Sequence, residues 1–176
     1  MITYRTLSLD NLSPELFSRF DRRQVVTDCW RREGDCWVVK PDPFVDDWSE
    51  ADRAFLVSCL HRTIKTGGVV VGAFLEDELK GFVSVEGVLL GEVSDYADVT
   101  SLHVSADMRH HGIGRTLFEA AGRWAKARGA KYLYLSTHSA VETQAFYAAM
   151  GCRDARWHHA DHVKAEPFDR QLEFEL

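Results

Sequence analysis

VTSLHVSADMRHHGIGRT, residues 99–116, decides how this chain is read. A β-strand pattern ends at Val104, a loop carrying Gly112 and Gly114 follows, and a helical pattern begins. Glycines in such a turn let backbone N–H groups approach a ligand closely, and the start of a helix carries partial positive charge. Together they make a pyrophosphate site, to which Arg109 and Arg115 add fixed charge and forked donors. Two other phosphate motifs do not fit. A P-loop requires GxxxxGK followed by Ser or Thr, which is absent. A dinucleotide-binding turn requires GxGxxG, but Leu117 stands at the third glycine position and no acidic residue is placed to bind a ribose. An ordinary strand-to-helix turn could carry the same glycines, so the reading depends on the rest of the chain.

Downstream, the periodicity predicts a helix over 112–128 ended by Gly129, a strand over 131–137, and a helix over 141–150 closed by Gly151. Two more strands are expected at 153–158 and 171–176. Upstream, a strand is expected at 2–7. A helix should then start at Ser13, with Pro14 in its first turn and Leu12, Leu16, Phe17 and Phe20 on one face. Residues 24–40 read as a hairpin turning at Glu33–Gly34, which sets Trp30 opposite Trp37 and Cys29 opposite Val38. PDPF at 41–44 should end it. A second helix, capped by Asp47 or Ser49, runs to Thr66 with Phe55, Leu56, Cys59, Leu60 and Ile64 at helical spacing. Residues 69–75 and 80–90 form another hairpin. Hairpins first and a strand–helix–strand unit second give the fold class: α+β (mixed α/β), with a central mixed, mostly antiparallel sheet flanked by helices. A single domain is expected over residues 1–176.

Composition narrows the function. The chain is 45% hydrophobic and 27% charged, ordinary for a globular protein. No apolar run approaches the roughly 20 residues of a membrane helix. The opening MITYRTLSLDNL lacks the apolar centre of a signal peptide, so a cytoplasmic protein without membrane partners is expected. Cys29, Cys36, Cys59 and Cys152 show no CxxC spacing and read as reduced thiols. A net charge of −6 argues against nucleic acid held by charge and is compatible with a small cationic substrate. A monomer and a homodimer fit equally well.

A second motif supports the first. Phe146-Tyr147-Ala148-Ala149-Met150-Gly151-Cys152 lies on the last predicted helix. It resembles the F-Y-x-x-x-G-F signature of the GNAT superfamily of N-acetyltransferases, with Cys152 in the final aromatic place. Residues 101–116 resemble that family's acetyl-CoA motif: a strand ending in Val, then R-x-x-G-x-G as Arg109 to Gly114. The order of elements across nearly the whole chain is similar too. The resemblance implies acetyl-CoA as donor, no metal, and direct transfer to an amine, with a small-molecule acceptor expected. It implies that backbone groups of Leu102, His103 and Val104 pair with the pantetheine arm, and that an N–H there steadies the oxyanion. It places the pyrophosphate on Arg109, His110, His111, Gly112, Ile113, Gly114, Arg115 and Thr116. Phe146 and His138 would adjoin the cofactor, and Tyr147 would protonate the leaving thiolate.

Two positions depart from the family pattern. Ala140 replaces a cofactor-contacting Asn, a role His138 and Ser139 could assume. Ser101 replaces a strand Glu that serves as base in many relatives. An alkyl amine has a pKa of roughly 10 and must lose a proton before attack. Glu86, Glu92, Asp95 and His103 are therefore the candidate bases, beside the plainer readings of solvated loop acids and a packed histidine. Trp30 and Trp37 are candidate walls of the acceptor pocket or simple packing residues. The cluster His158, His159, Asp161 and His162 reads as a solvated loop rather than a metal site. A non-catalytic acetyl-CoA sensor is the alternative function.

Overall fold

VVVGAFL and LKGFVSV, at 69–75 and 79–85, sit at the centre of the computed structural model, which describes residues 1–176. They form β4 (Val69–Leu75) and β5 (Glu78–Val85), an antiparallel pair with almost no solvent-facing side chains. A strand buried on both faces needs cover on both faces. The sheet around this pair has seven strands in the order β1-β4-β5-β6-β7-β9-β8, with β1 Ile2–Thr6, β6 Tyr96–Val104, β7 Tyr132–Thr137, β8 Arg153–Asp154 and β9 Arg170–Glu175. Every neighbouring pair is antiparallel except β6 and β7. Those two are parallel because a helix, here α2 (Ile113–Ala127), must carry the chain back between them.

Alternation along the strands assigns the two faces. Val83, Val85, Ala97, Val99, Leu133 and Leu135 pack with α2 and with Tyr147 of α3 (Val141–Met150). On the other face Val70, Phe74, Leu79 and Phe82 pack with α1 (Glu50–Lys65) and with Leu12, Phe17 and Phe20. A separate antiparallel hairpin, β2 (Gln24–Glu33) and β3 (Cys36–Asp46), lies apart from the main sheet. It reaches the rest of the fold through Cys29, which bridges to Ala140, and through the Trp30 N–H, which donates to Ser139 O at 2.8 Å.

The class is as expected, and several local features differ. Instead of a helix from Ser13, the chain makes two short 3-10 turns, Leu9–Asn11 and Pro14–Phe17. Three-residue spacing suffices to bring Phe17 and Phe20 onto Phe82, with ring centroids 5.4 and 5.8 Å away. The hairpin turns at Gly34–Asp35, so Trp30 faces Val39, Cys29 faces Lys40 and Arg32 faces Trp37. Gly34 supplies the positive φ of +59°. PDPF does not end β3, because Pro41 pairs opposite Asp28 and Pro43 falls in the bulge beside it, where pairing is interrupted and no ladder donor is needed. A helix, α4 (Ala160–Ala165), occupies the segment expected as a loop, and only Arg153–Asp154 of the 153–158 strand pairs. On α1 the buried stripe is Val57, Leu60 and Thr63, while Phe55 is 71% exposed. Ser49 is its cap, accepting from Asp52 N as Asp52 accepts from Ser49 N.

Candidate active site

β6 and β7 pair only at Tyr96↔Tyr132, Ala97↔Leu133 and Asp98↔Tyr134. Beyond that point they diverge. The cause is visible on β6: Ser101 pairs with Ser84 and Val99 with Val85, leaving Thr100 as an extra, bulged residue. A bulge bends and twists its strand and ends regular pairing. The backbone of residues 99–104 therefore keeps its ladder to β5 and presents its other edge to an opening. That opening is a groove of about 940 Å³, at the carboxyl ends of the only parallel pair in the sheet.

Most of the expected residues line it. Leu102, His103 and Val104 form one wall; His138, Phe146 and Tyr147 form the other; Arg109, His110, Gly112, Ile113, Gly114 and Arg115 close the end at the start of α2. His111 and Thr116 do not line it. The His111 ring bonds to Arg109 O at 2.7 Å, and the Thr116 hydroxyl donates to Gly112 O at 3.3 Å. The turn bends through two positive φ values, +63° at His110 and +81° at Gly112. Gly114 is constrained by space instead: a Cβ there would lie 3.2 Å from the Phe146 ring. Arg109 is largely committed to the protein, donating from Nε to Val104 O at 3.3 Å and from Nη2 to Arg22 O at 3.2 Å. Arg115 is exposed and forms no ion pair.

Tyr147 is 7% exposed and lies between Phe118 and Phe146. Burial pushes its phenol well above the usual range, helped by Cys152, while a hydrogen bond with the Thr137 side chain opposes this. The group is thus a neutral proton donor at ordinary pH. Thr137 shares the α2–α3 face with Leu133 and Leu135, so Tyr147 addresses the groove from that face. Ser136 and His138 point to the opposite one.

A second, smaller cavity of about 470 Å³ opens on that opposite face, between α1 and the β5–β6 pair. Asp46, Thr100, Ser101 and His103 line both cavities, so the two meet across β6. The smaller one carries Asp46, Asp47, Asp52 and Glu86 against the single cation Arg62. Trp48 walls it, packing edge-on to His103 at 5.1 Å. Burial holds the His103 ring well below its usual pKa, with Arg22, His138 and Arg109 adding to the effect. It makes no hydrogen bond and stands between Trp48 and Phe82.

Several expected residues lie elsewhere. Glu92 and Asp95 occupy the turn before β6, at the end of the strand away from the groove, and line neither cavity. Trp30 and Trp37 also line neither; Trp37 instead carries the Arg170 guanidinium over its ring at 4.6 Å. Ser139 is buried under the hairpin, bonded to Arg31 and Trp30. Ala140, fully buried against Val26 and Cys29, sits where a longer amide would collide with that hairpin. Of the four histidine-cluster residues, His162 bonds to Asp98 at 2.8 Å, His158 to Ala155 O at 3.1 Å, and the His159 ring caps α4. Sequence reasoning missed Trp48, Arg22, Glu166 and Asp169, all of which line one of the cavities. Only the tertiary fold gathers them, since they come from loops with no periodicity or motif.

The sequence profile of the acetyltransferase (GNAT) family matches residues 16–152. No curated protein matches the chain closely enough to count as a relative. Among solved structures, a Bacillus anthracis protein provisionally assigned as a streptothricin acetyltransferase, in complex with acetyl coenzyme A, superposes with a TM-score of 0.75 at 16% identity, over 100% of both chains. A nourseothricin acetyltransferase gives 0.68 at 19% identity, over 98% of this chain and 95% of that one. The PaiA N-acetyltransferase of Thermoplasma acidophilum, solved with coenzyme A, gives 0.63 at 17% identity, over 100% and 99%.

Proposed function

The chain belongs to the GNAT acetyltransferase family, whose cosubstrate is acetyl-CoA, and from that premise we propose that it acetylates an amine on a small, positively charged molecule. The observation carrying this reading is the meeting of a long groove with an acidic cavity across β6, at Thr100, Ser101 and His103. Groove and donor fit in kind. The turn with positive φ at His110 and Gly112 lies at the groove end, where α2 begins with its first backbone N–H groups unpaired, and Arg115 adds an uncommitted guanidinium. The unpaired edge of Leu102–Val104 offers strand-like hydrogen bonds to an amide-bearing arm, and one N–H there serves the oxyanion. Tyr147 stands across the opening as a neutral acid for the departing thiolate. The mechanism assigns no nucleophilic role to cysteine, since none lines the groove: Cys152 is held up to about 12 by burial, Cys29 is buried under the hairpin, Cys36 is exposed elsewhere, and Cys59 lies in the smaller cavity.

The acceptor enters from the α1 side. Three unpaired carboxylates there, Asp47, Asp52 and Glu86, outnumber Arg62, and a cation is drawn to such a lining. Two of the similar folds are described as acting on streptothricin and nourseothricin, which supports a small-molecule acceptor of that kind. The reading is tested by following CoA release with acetyl-CoA and a panel of acceptors: streptothricin, nourseothricin, aliphatic diamines, amino acids, and a peptide with a free N-terminus. Release above the hydrolysis background with the cationic small molecules is expected. Release with no amine, despite tight acetyl-CoA binding, would leave the non-catalytic sensor as the function. Release with the peptide alone would move the acceptor to proteins.

A further inference from the structure

The acid side of the reaction has a candidate in Tyr147, but the usual base position is Ser101. The groove contains another group able to fill the role. α4 ends at Ala165, and the chain then turns tightly through Glu166-Pro167-Phe168-Asp169, closed by Asp169 N donating to Glu166 O at 3.0 Å. β9 starts at the next residue, Arg170, opposite Thr137. Both Glu166 and Asp169 line the groove. Asp169 Oδ2 accepts from the Ser136 hydroxyl at 3.2 Å, and its Oδ1 accepts no hydrogen bond. Ser136 and Thr137 are consecutive on β7 and face opposite sides of the sheet. Thr137 touches Tyr147 and Ser136 touches Asp169. Two adjacent residues of one strand thus hold a phenol and a carboxylate on the two sides of the same opening.

We propose that Asp169 is the catalytic base, receiving the proton that the acceptor ammonium must lose before it attacks. This rests on the acetyl-transfer reading above. The ammonium gives one proton to Asp169. The freed nitrogen pair forms the C–N bond to the acetyl carbon while the C–S bond breaks, and Tyr147 protonates the departing sulfur. The nitrogen's second proton leaves through solvent as the amide forms, and the phenol is restored from solvent. Asp169 releases its proton after product departs, which balances one proton liberated per turnover.

Three other nearby carboxylates are engaged, and Glu142 on α3 lines the groove without a contact such as the one from Ser136 that fixes Asp169. Glu86 accepts from the Thr63 hydroxyl at 2.6 Å and from Thr100 at 3.4 Å, Asp98 is bonded to His162, and Asp46 is paired with Arg22. The charged surroundings of Asp169 favour a base as well. Burial first, then the nearby Glu166 carboxylate, raise its pKa to about 6, against the hydrogen bond from Ser136 and the field of His162. His138 and Glu142 face the groove from the end of β7 and from α3, and His103 and Arg22 from across it. A carboxylate in this range is ionised at neutral pH yet more basic than an ordinary aspartate.

The test uses the full chain with acetyl-CoA and two probe acceptors, streptothricin and 1,4-diaminobutane. Asp169→Asn should lower kcat by about 100-fold, the low end for general base catalysis, with the acetyl-CoA Kd unchanged. In the wild type, kcat/KM for the acceptor should rise with pH through about 6. Glu166→Gln should move that limb to lower pH, because the repelling charge is gone; a purely structural role for the turn would not move it. A carbon-13 carboxylate titration, assigned by difference with Asp169→Asn, should find Asp169 near 6 without any acceptor. Wild-type kcat in Asp169→Asn with chemistry limiting, or an Asp169 titrating in the ordinary aspartate range, overturns the assignment while acetyl transfer stands. Absence of CoA release by the wild type with every amine removes the underlying reading, and this inference with it.

Discussion

Replacing Tyr147 by Phe removes one oxygen and leaves the ring between Phe118 and Phe146, at centroid distances of 6.3 and 5.1 Å. The hydrophobic contacts of the site therefore survive. The Thr137 hydroxyl loses a partner, a cost of about 1 kcal/mol for a single neutral hydrogen bond, offset in part because the phenol no longer has to be buried. Folding should change by no more than about that amount. The effect on catalysis should be larger. The leaving thiolate has a conjugate acid near pKa 8.5, taking cysteine as the model, so it can depart without a donor but departs faster with one. General acid catalysis contributes ~100- to 10,000-fold, and a leaving group this good places the loss at about 100-fold in kcat. That corresponds to about 2.7 kcal/mol in the barrier, larger than the stability change and separable from it. The assay is single-turnover acetyl transfer at saturating acetyl-CoA and acceptor, with the acetyl-CoA Kd measured by calorimetry. A slower chemical step with unchanged Kd marks an interaction made in the transition state. Because burial raises the Tyr147 pKa, the wild-type rate should not fall from loss of this proton as pH climbs to the ordinary tyrosine range near 10. An unchanged single-turnover rate in Tyr147→Phe would refute the reasoning and make the residue a packing element. A collapsed Kd with a normal chemical step would make its hydroxyl a binding group.

Three further outcomes are expected. Acetyl-CoA at about 100 times its Kd should stabilise the fold by roughly 2.7 kcal/mol, raising Tm by about 5–10 °C; an unchanged melt at millimolar ligand would count against the site. Gly112→Leu should abolish that shift through its backbone, since φ is +81° and nothing lies within 4 Å of a Cβ, whereas Gly114→Leu should abolish it by displacing Phe146. The His162–Asp98 pair raises the His162 pKa, chiefly through their hydrogen bond. That contribution is complete below the unfolded value of about 6.5 and fades as pH rises through the higher folded value, so the urea midpoint should drop less between pH 6 and 9 in His162→Gln than in the wild type. A thiol reagent should label exposed Cys36 quickly, buried Cys29 and high-pKa Cys152 slowly, and all four cysteines in guanidinium; finding only two in guanidinium would require a disulfide that the register does not allow.

Residues 112–151 were legible because their signals are local. The helix ended by Gly129, the helix closed by Gly151 and the strand between them appear within a residue or so of their expected bounds. Each is set by periodicity and by a glycine with positive φ. The first 50 residues were less so. Pro14 and the apolar residues around it fit a helix or a 3-10 turn equally, and only docking on Phe82 decides between them. In the hairpin, either Glu33–Gly34 or Gly34–Asp35 could turn, and a one-residue move of the turn preserves which side chains share a face. The alternation therefore could not choose. The donor side of the groove was readable as motifs on one turn and one helix. The acceptor side was not, because Trp48 comes from one loop and Glu166 and Asp169 from another, and Glu92 and Asp95 look just as suitable until the direction of β6 removes them.

The bulge at Thr100 has a consequence for how the protein behaves before any ligand arrives. A strand edge without a partner exposes amides that exchange with solvent and can template another chain. Here that edge belongs to the middle of the sheet and faces a groove lined by α3 and by Gln24, Val25 and Asp46 of the β2–β3 hairpin, rather than lying on the outer rim. The amides of residues 99–104 that face away from β5 should exchange fast although the strand is central, and slow sharply once the donor's amide arm lies against them. An open edge placed inside the sheet, with helices and a hairpin around it, offers its amides to a ligand in the groove rather than to the outer surface where strands of other molecules meet.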